Sequence, residues 1–160
     1  MVRASGRSEV KRRRDRLYAV VGQIDGKQLS PELLAHFARY LAVLISGYIE
    51  QSVKELIREY SRRQGDSRVQ RLVGKHVERF RNIDNDKLKQ MLDALDPAWW
   101  PMLEAAHADD LEALGSIATL RNNISHGGDS GVSLIVVKGY LERIENVVRW
   151  LVALLDPPPT

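Results

Sequence analysis

The residues best able to do chemistry lie together in Leu120-Arg121-Asn122-Asn123-Ile124-Ser125-His126-Gly127-Gly128. Arg121 carries a permanent charge on a rigid fork of donors that suits phosphate, and a histidine such as His126 exchanges a proton near neutral pH. Such a pair can cleave RNA. A base takes the proton from a ribose 2′-hydroxyl, the oxygen attacks the adjacent phosphorus, and a cation stabilises the charge that develops. No metal or other cofactor is needed. In this scheme His126 is the general base or the group that orients the hydroxyl, and Arg121 stabilises the phosphorane. Asn122 positions the phosphate or one of those two side chains.

These residues must be positioned by a helix and its end. Five residues advance an ideal helix by about 500°, leaving Arg121 and His126 about 140° apart, so the two converge only if the helix ends between them. Ser125 to Gly131 reads S-H-G-G-D-S-G, in which a glycine can take the left-handed conformation that terminates a helix. This places Arg121 in the last helical turns and His126 at the cap. Spacing by itself is weak. With 17 arginines and 4 histidines among 160 residues, chance supplies about 0.4 such pairs. A second pair, Arg71 and His76, does occur, but it lacks a polar residue after the arginine and precedes no final helix.

The segment R-N-N-I-S-H-G, set just before a long apolar final helix, resembles the R-(polar)-x-x-x-H signature of the HEPN superfamily. Within it the chain is most similar to the RiboL-PSP-type HEPN domains. The further likeness rests on the early helix containing Tyr48-Ile49-Glu50, on Arg81-Asn82-Ile83 followed by Leu88 to Leu95, and on Trp99-Trp100. It spans roughly residues 30–155. The resemblance implies an all-α HEPN-like bundle with two long core helices and several shorter ones. It also implies a metal-independent endoribonuclease that works as a homodimer, with the Arg and His of both protomers lining a shared cleft. Such proteins recur in toxin–antitoxin and phage-defence systems, which makes an antitoxin or neighbouring regulatory protein an expected partner beside RNA. Some family toxins carry a tyrosine two residues after the His, used for control by nucleotidylation. Here that position is Gly128, so the resemblance does not carry that control over. Asn123, Ser125 and Glu50 are further candidates for substrate contact. The rival reading is a non-catalytic helical module that binds RNA, nucleotide or a protein partner.

The bounds set by composition agree with one domain: 160 residues, 44% hydrophobic, 28% charged. The absence of cysteine removes disulfides, thiol nucleophiles and cysteine zinc sites and is compatible with a reducing cytoplasm. Four scattered histidines offer no metal spacing. The Arg-rich start is not followed by an apolar stretch, and no segment is expected to cross a bilayer. Net charge is +3, but it is uneven. Arg3, Arg7, Lys11, Arg12, Arg13, Arg14 and Arg16 form one basic cluster, and Arg62, Arg63, Arg68, Arg71, Lys75, Arg79 and Arg81 a second. Either could attract a phosphate backbone or simply be a solvated face.

Along the chain, residues 1–7 are expected to be a flexible basic tail, 8–155 a single HEPN-like domain, and 156–160 a Pro-rich tail. Ser30-Pro31-Glu32 starts the longest helix, whose stripe runs from Phe37 to Tyr60. Glu50 lies beside that stripe, either exposed or paired with a buried cation such as Arg121. Shorter helices are expected over Ser67 to Phe80 and Lys87 to Leu95. Trp99-Trp100 is a core anchor at a corner rather than a base-stacking platform. Asp109-Asp110 would cap the helix that delivers Arg121, and Ser133 would begin the last one. Ile135-Val136-Val137 has no partner strand and is taken as helical.

Overall fold

The computed structural model describes residues 4–159, and these form an all-α bundle of six helices. They are α1 (Gly6–Ile24), α2 (Pro31–Gln64), α3 (Ser67–Val77), α4 (Asn85–Asp93), α5 (Trp99–Ser125) and α6 (Leu134–Leu155). Among the described residues there is no strand, and Ile135-Val136-Val137 lies in the first turn of α6. Ser133 caps that helix, its hydroxyl accepting from the Val136 N–H at 3.3 Å.

The 34-residue α2 is the spine, packed against α1, α3, α5 and α6. Ser30 caps it, and Pro31 sits where its missing N–H costs nothing. Ala38, Leu41, Ala42, Ile45, Ile49, Val53 and Leu56, spaced by three and four, are at most 2% exposed. Val137, Leu141, Ile144, Val147, Val148 and Leu151 of α6 and Leu111, Leu114, Ile117 and Ala118 of α5 close the core. Burying each of the larger side chains contributes about 1.5–3 kcal/mol. By length and composition α2 could also cross a bilayer, contrary to the expectation that no segment would. The core stripe that gives it that hydropathy is covered here by four other helices.

Residues 5–7 and Asp156, near the two ends of the described residues, are docked more tightly than expected. Helix α1 begins at Gly6, capped by Ser5, within the span 1–7 expected to be a flexible tail. The Arg7 N–H donates to Asp156 Oδ2 at 2.6 Å, and a Cβ on Gly6 would approach Glu59 Cβ to 2.9 Å. Asp156 is fully buried and also pairs with Arg63, so it belongs to the domain and the Pro-rich tail starts at Pro157. Met1 to Arg3 of the expected basic tail, and Thr160 at the other end, lie outside the described residues.

The middle of the chain differs in one respect. Trp99 starts a helix that runs through to Ser125, bent at His107, whose φ of −139° and ψ of 34° are not helical. Asp110 is therefore no terminal cap. Its carboxylate takes His107 Nδ1 at 2.8 Å and the Asn146 amide of α6 at 3.2 Å, fixing the bend. Trp100 is buried and Trp99 meets Tyr60 edge-on with centroids 5.3 Å apart, so this pair anchors the core.

Candidate functional site

The C-terminal turn of α5 carries the Arg–His segment and ends in a Schellman arrangement. The Gly128 N–H donates to the Asn123 carbonyl at 2.8 Å and the Gly127 N–H to the Ile124 carbonyl at 3.1 Å, with Gly127 at φ +74°. His126 is the cap residue. A Cβ on Gly128 would lie 3.1 Å from the Asn123 carbonyl oxygen, so both glycines of the pair are needed, the first for its φ and the second for closeness.

Arg121 lies in the last helical turns and His126 at the cap, as expected, but the helix does not end between them. The His126 N–H still bonds to the Asn122 carbonyl at 3.1 Å, so His126 stays on the helical path and the chain turns one residue later. A Schellman ending puts the left-handed residue after the cap, not before it. With the chain helical as far as Ser125, ideal helix geometry sets Arg121 and His126 of one chain about 140° apart around the α5 axis.

Arg121 is half-buried and His126 exposed. Asp129, the nearest acidic residue in sequence, faces Arg39 of α2 at 3.7 Å, and among the described residues no carboxylate pairs with Arg121 and no side chain bonds to the His126 ring. Ser125 is committed locally, its hydroxyl donating to the Arg121 carbonyl at 2.9 Å. Asn123 is exposed, and its backbone serves the helix ending. The glycine loop separates two open grooves. One is lined by Ser116, Leu120 and Tyr140 between α5 and α6, the other by Leu34, Arg39 and Leu134 beside α2.

Asn122 is tied to a polar cluster that links α2, the loop before α4, and α5. Asn82 Nδ2 donates to Asn122 Oδ1 at 2.9 Å and to the Ala118 carbonyl at 3.2 Å, while Asn82 Oδ1 accepts from the Ser46 hydroxyl at 3.0 Å. The Asn82 backbone N–H donates to Glu50 Oε2 at 2.7 Å. Glu50 Oε1 in turn takes Lys54 Nζ at 2.8 Å and lies 3.7 Å from Arg81. Glu50 is thus neither exposed nor paired with Arg121; its buried cation is Lys54, one turn away on its own helix. Burial pushes the Glu50 carboxyl up, but the Lys54 hydrogen bond, the Asn82 N–H and the charges of Lys54 and Arg81 together hold it below its ordinary value.

Asn82, Ser46 and Lys54 are the residues that sequence reasoning missed. Two signals were present. Glu50 and Lys54 stand four apart beside an apolar stripe, and Asn82, in a turn, adopts φ +48°, a conformation that asparagine accepts more readily than most residues.

The two basic clusters separate into paired and free cations. Arg12 and Arg13 meet Glu9, Lys11 meets Asp15, and Arg14 meets the buried Glu145. In the second cluster Arg62 meets Glu59, Arg63 meets Asp156 and Arg81 faces Glu50. Arg68, Arg71, Lys75 and Arg79 are exposed and, among the described residues, form no ion pair. His76 is exposed in this same stretch, in the last turn of α3 and edge-on to Phe80, so the second Arg–His pair also nears a helix end but has Leu72 after its arginine and no glycine pair after its histidine.

No curated protein and no solved structure matches the chain. One family model does, that described as RiboL-PSP-HEPN, over residues 8–156. The all-α bundle, with an Arg–polar–x–x–x–His segment closing the helix before the last, therefore belongs to the RiboL-PSP-HEPN family.

Proposed function

We propose that this protein is a metal-independent endoribonuclease acting as a homodimer. The observation that carries the reading is a half-buried Arg121 and an exposed His126 in the last two turns and cap of α5, neither of them engaged by another side chain among the described residues. A structural arginine in such a position would ordinarily be satisfied by a carboxylate or carbonyl. His126 takes the proton of the 2′-hydroxyl, or orients it. The freed oxygen attacks phosphorus, Arg121 stabilises the charged phosphorane, and the P–O5′ bond breaks as the 5′-oxygen takes up a proton returned by the protonated His126 or by water. The products are a 2′,3′-cyclic phosphate and a 5′-hydroxyl end.

The 140° divergence within one chain supports a two-chain site. A two-fold interface across the end of α5 gathers two Arg121 and two His126 side chains in one cleft, so that the working pair forms between protomers. Exposed apolar side chains flank this region. Ile135 at the start of α6 is 82% exposed, and with Leu34 and Leu134 it lines the groove beside Gly131. A patch of this kind beside the glycine loop suits a second copy. The toxin or defence setting follows from the same chemistry, since an unregulated ribonuclease damages its host and requires a restraining partner.

The test is cleavage of labelled single-stranded and transfer RNA in EDTA by wild type, His126→Ala and Arg121→Ala, each checked for folding and oligomeric state. Cutting that leaves cyclic phosphate ends and is lost in both variants supports the reading. A wild type that binds RNA across a varied panel and never cuts it would replace the nuclease with a non-catalytic RNA-binding module.

A further inference from the structure

We infer that Asn122 meets the substrate as a hydrogen-bond donor, and that Asn82, locked from behind by Glu50, dictates that polarity. The inference rests on the reading of the α5 terminus as an RNA site.

An asparagine amide presents an acceptor at one end and two donors at the other, and which end faces outward is set by its neighbours. Here the decision is made three residues deep. The Ala118 carbonyl, 3.2 Å from Asn82, can only accept, so the Asn82 amide must turn its NH2 toward α5. Both protons of that NH2 are then used, one on Ala118 and one on Asn122 Oδ1. The Ser46 hydroxyl, which can donate or accept, donates to the opposite end of the same amide in this orientation. Asn122 is left with its oxygen turned inward. Its own NH2 faces outward from an exposed side chain and has no partner among the described residues.

The result is two N–H donors directly after Arg121 in sequence, with no acceptor between them and solvent. Such a surface suits a phosphate oxygen, or another acceptor on a ribonucleotide, and disfavours a metal ion. The polarity persists because Asn82 cannot easily move. It is 6% exposed, its backbone is held at φ +48°, and its N–H is bound to the Glu50 carboxylate that Lys54 neutralises. Asn82 is therefore a positioning residue, and Asn122 the one that touches ligand.

The experiment is a side-chain amide NMR titration of the full-length protein with a single-stranded 2′-deoxy oligonucleotide, which lacks the attacking hydroxyl, alongside RNA cleavage kinetics. The Asn122 NH2 pair, assigned by its loss in Asn122→Asp, is expected to shift on titration, whereas the Asn82 pair, consumed internally, stays in place. Asn122→Asp is nearly isosteric and keeps the acceptor for Asn82 but removes the outward donors; it is expected to weaken oligonucleotide binding and raise KM by about tenfold or more with unchanged melting. Asn82→Gly tolerates the positive φ but frees the Asn122 amide, and should raise KM by a smaller factor while broadening the Asn122 signals. If Asn122→Asp binds and cleaves as wild type does, or the Asn82 pair shifts and the Asn122 pair does not, the inference is overturned. It is equally overturned if the oligonucleotide does not bind. A wild type that binds with the Asn122 shift yet cuts no RNA overturns the nuclease reading alone and supports this one.

Discussion

Glu50 and Lys54 face each other at 2.8 Å one turn apart on the central helix, and Lys54 is 1% exposed, as buried as the leucines around it. An ammonium in that position is tolerable only because a carboxylate meets it, and the carboxylate is held in turn by the Asn82 N–H. The pair connects the core of α2 to Asn82 in the loop before α4, and through it to Asn122 of α5, so the site and the fold share one polar element.

Removing one member of this pair leaves the other buried without its countercharge. Lys54→Met is expected to lower unfolding stability by about 3 kcal/mol at pH 7, measured by urea denaturation. The double change Glu50→Met with Lys54→Met should cost less than the sum of the single changes, because no charge is stranded.

The same carboxylate gives a pH signature. Its pKa is lower in the folded protein than the unfolded value of 4.5, so its stabilisation is fully present above pH 4.5 and is lost as pH falls through the folded value. The stability difference between wild type and Glu50→Gln should therefore be largest near neutrality and shrink steadily below pH 4.5. A difference that stays constant from pH 7 to pH 3 would show that the Glu50 charge is not what matters.

At the other end of the spine, Asp156 accepts the Arg7 N–H at 2.6 Å and pairs with Arg63 while fully buried. Asp156→Ala is expected to cost about 3 kcal/mol and to loosen the start of α1, seen as faster amide exchange there. Deleting residues 157–160 should leave melting unchanged, since the domain ends at Asp156.

The helix ending makes a local prediction. Gly127 holds φ +74° with open space around it, so Gly127→Ala should cost about 1 kcal/mol from backbone strain, and Gly127→Asn less. Because His126 precedes it directly, cleavage should fall further in Gly127→Ala than thermal stability does.

If the catalytic cleft forms between two copies, a charge on its apolar border should undo it without unfolding the chain. Ile135→Glu, at a side chain 82% exposed, is expected to leave helicity and melting of the monomer unchanged. It should convert the dimer to monomer by light scattering and abolish cleavage with it.

Much of the fold was legible in the sequence because helical periodicity is local. The stripe from Phe37 to Tyr60, the Ser30-Pro31 start, the Ser133 cap and the Gly127-Gly128 stop each depend on residues within a turn or two of one another. Arg121 near the end of a helix with His126 at its cap followed from the same kind of pattern. What was not legible depends on residues far apart in the chain. No periodicity states that Lys54 would be buried, that Asn82 would reach Asn122 across 40 positions, or that Asp156 would receive Arg7. These are decisions of packing: once helices meet, each buried polar group must find whichever partner the neighbouring helix offers. The residue types that could do the chemistry, and the local helix ending that sets Arg121 apart from His126, were thus set by the sequence alone, whereas the way Asn122 faces was decided only by the tertiary structure, through Asn82.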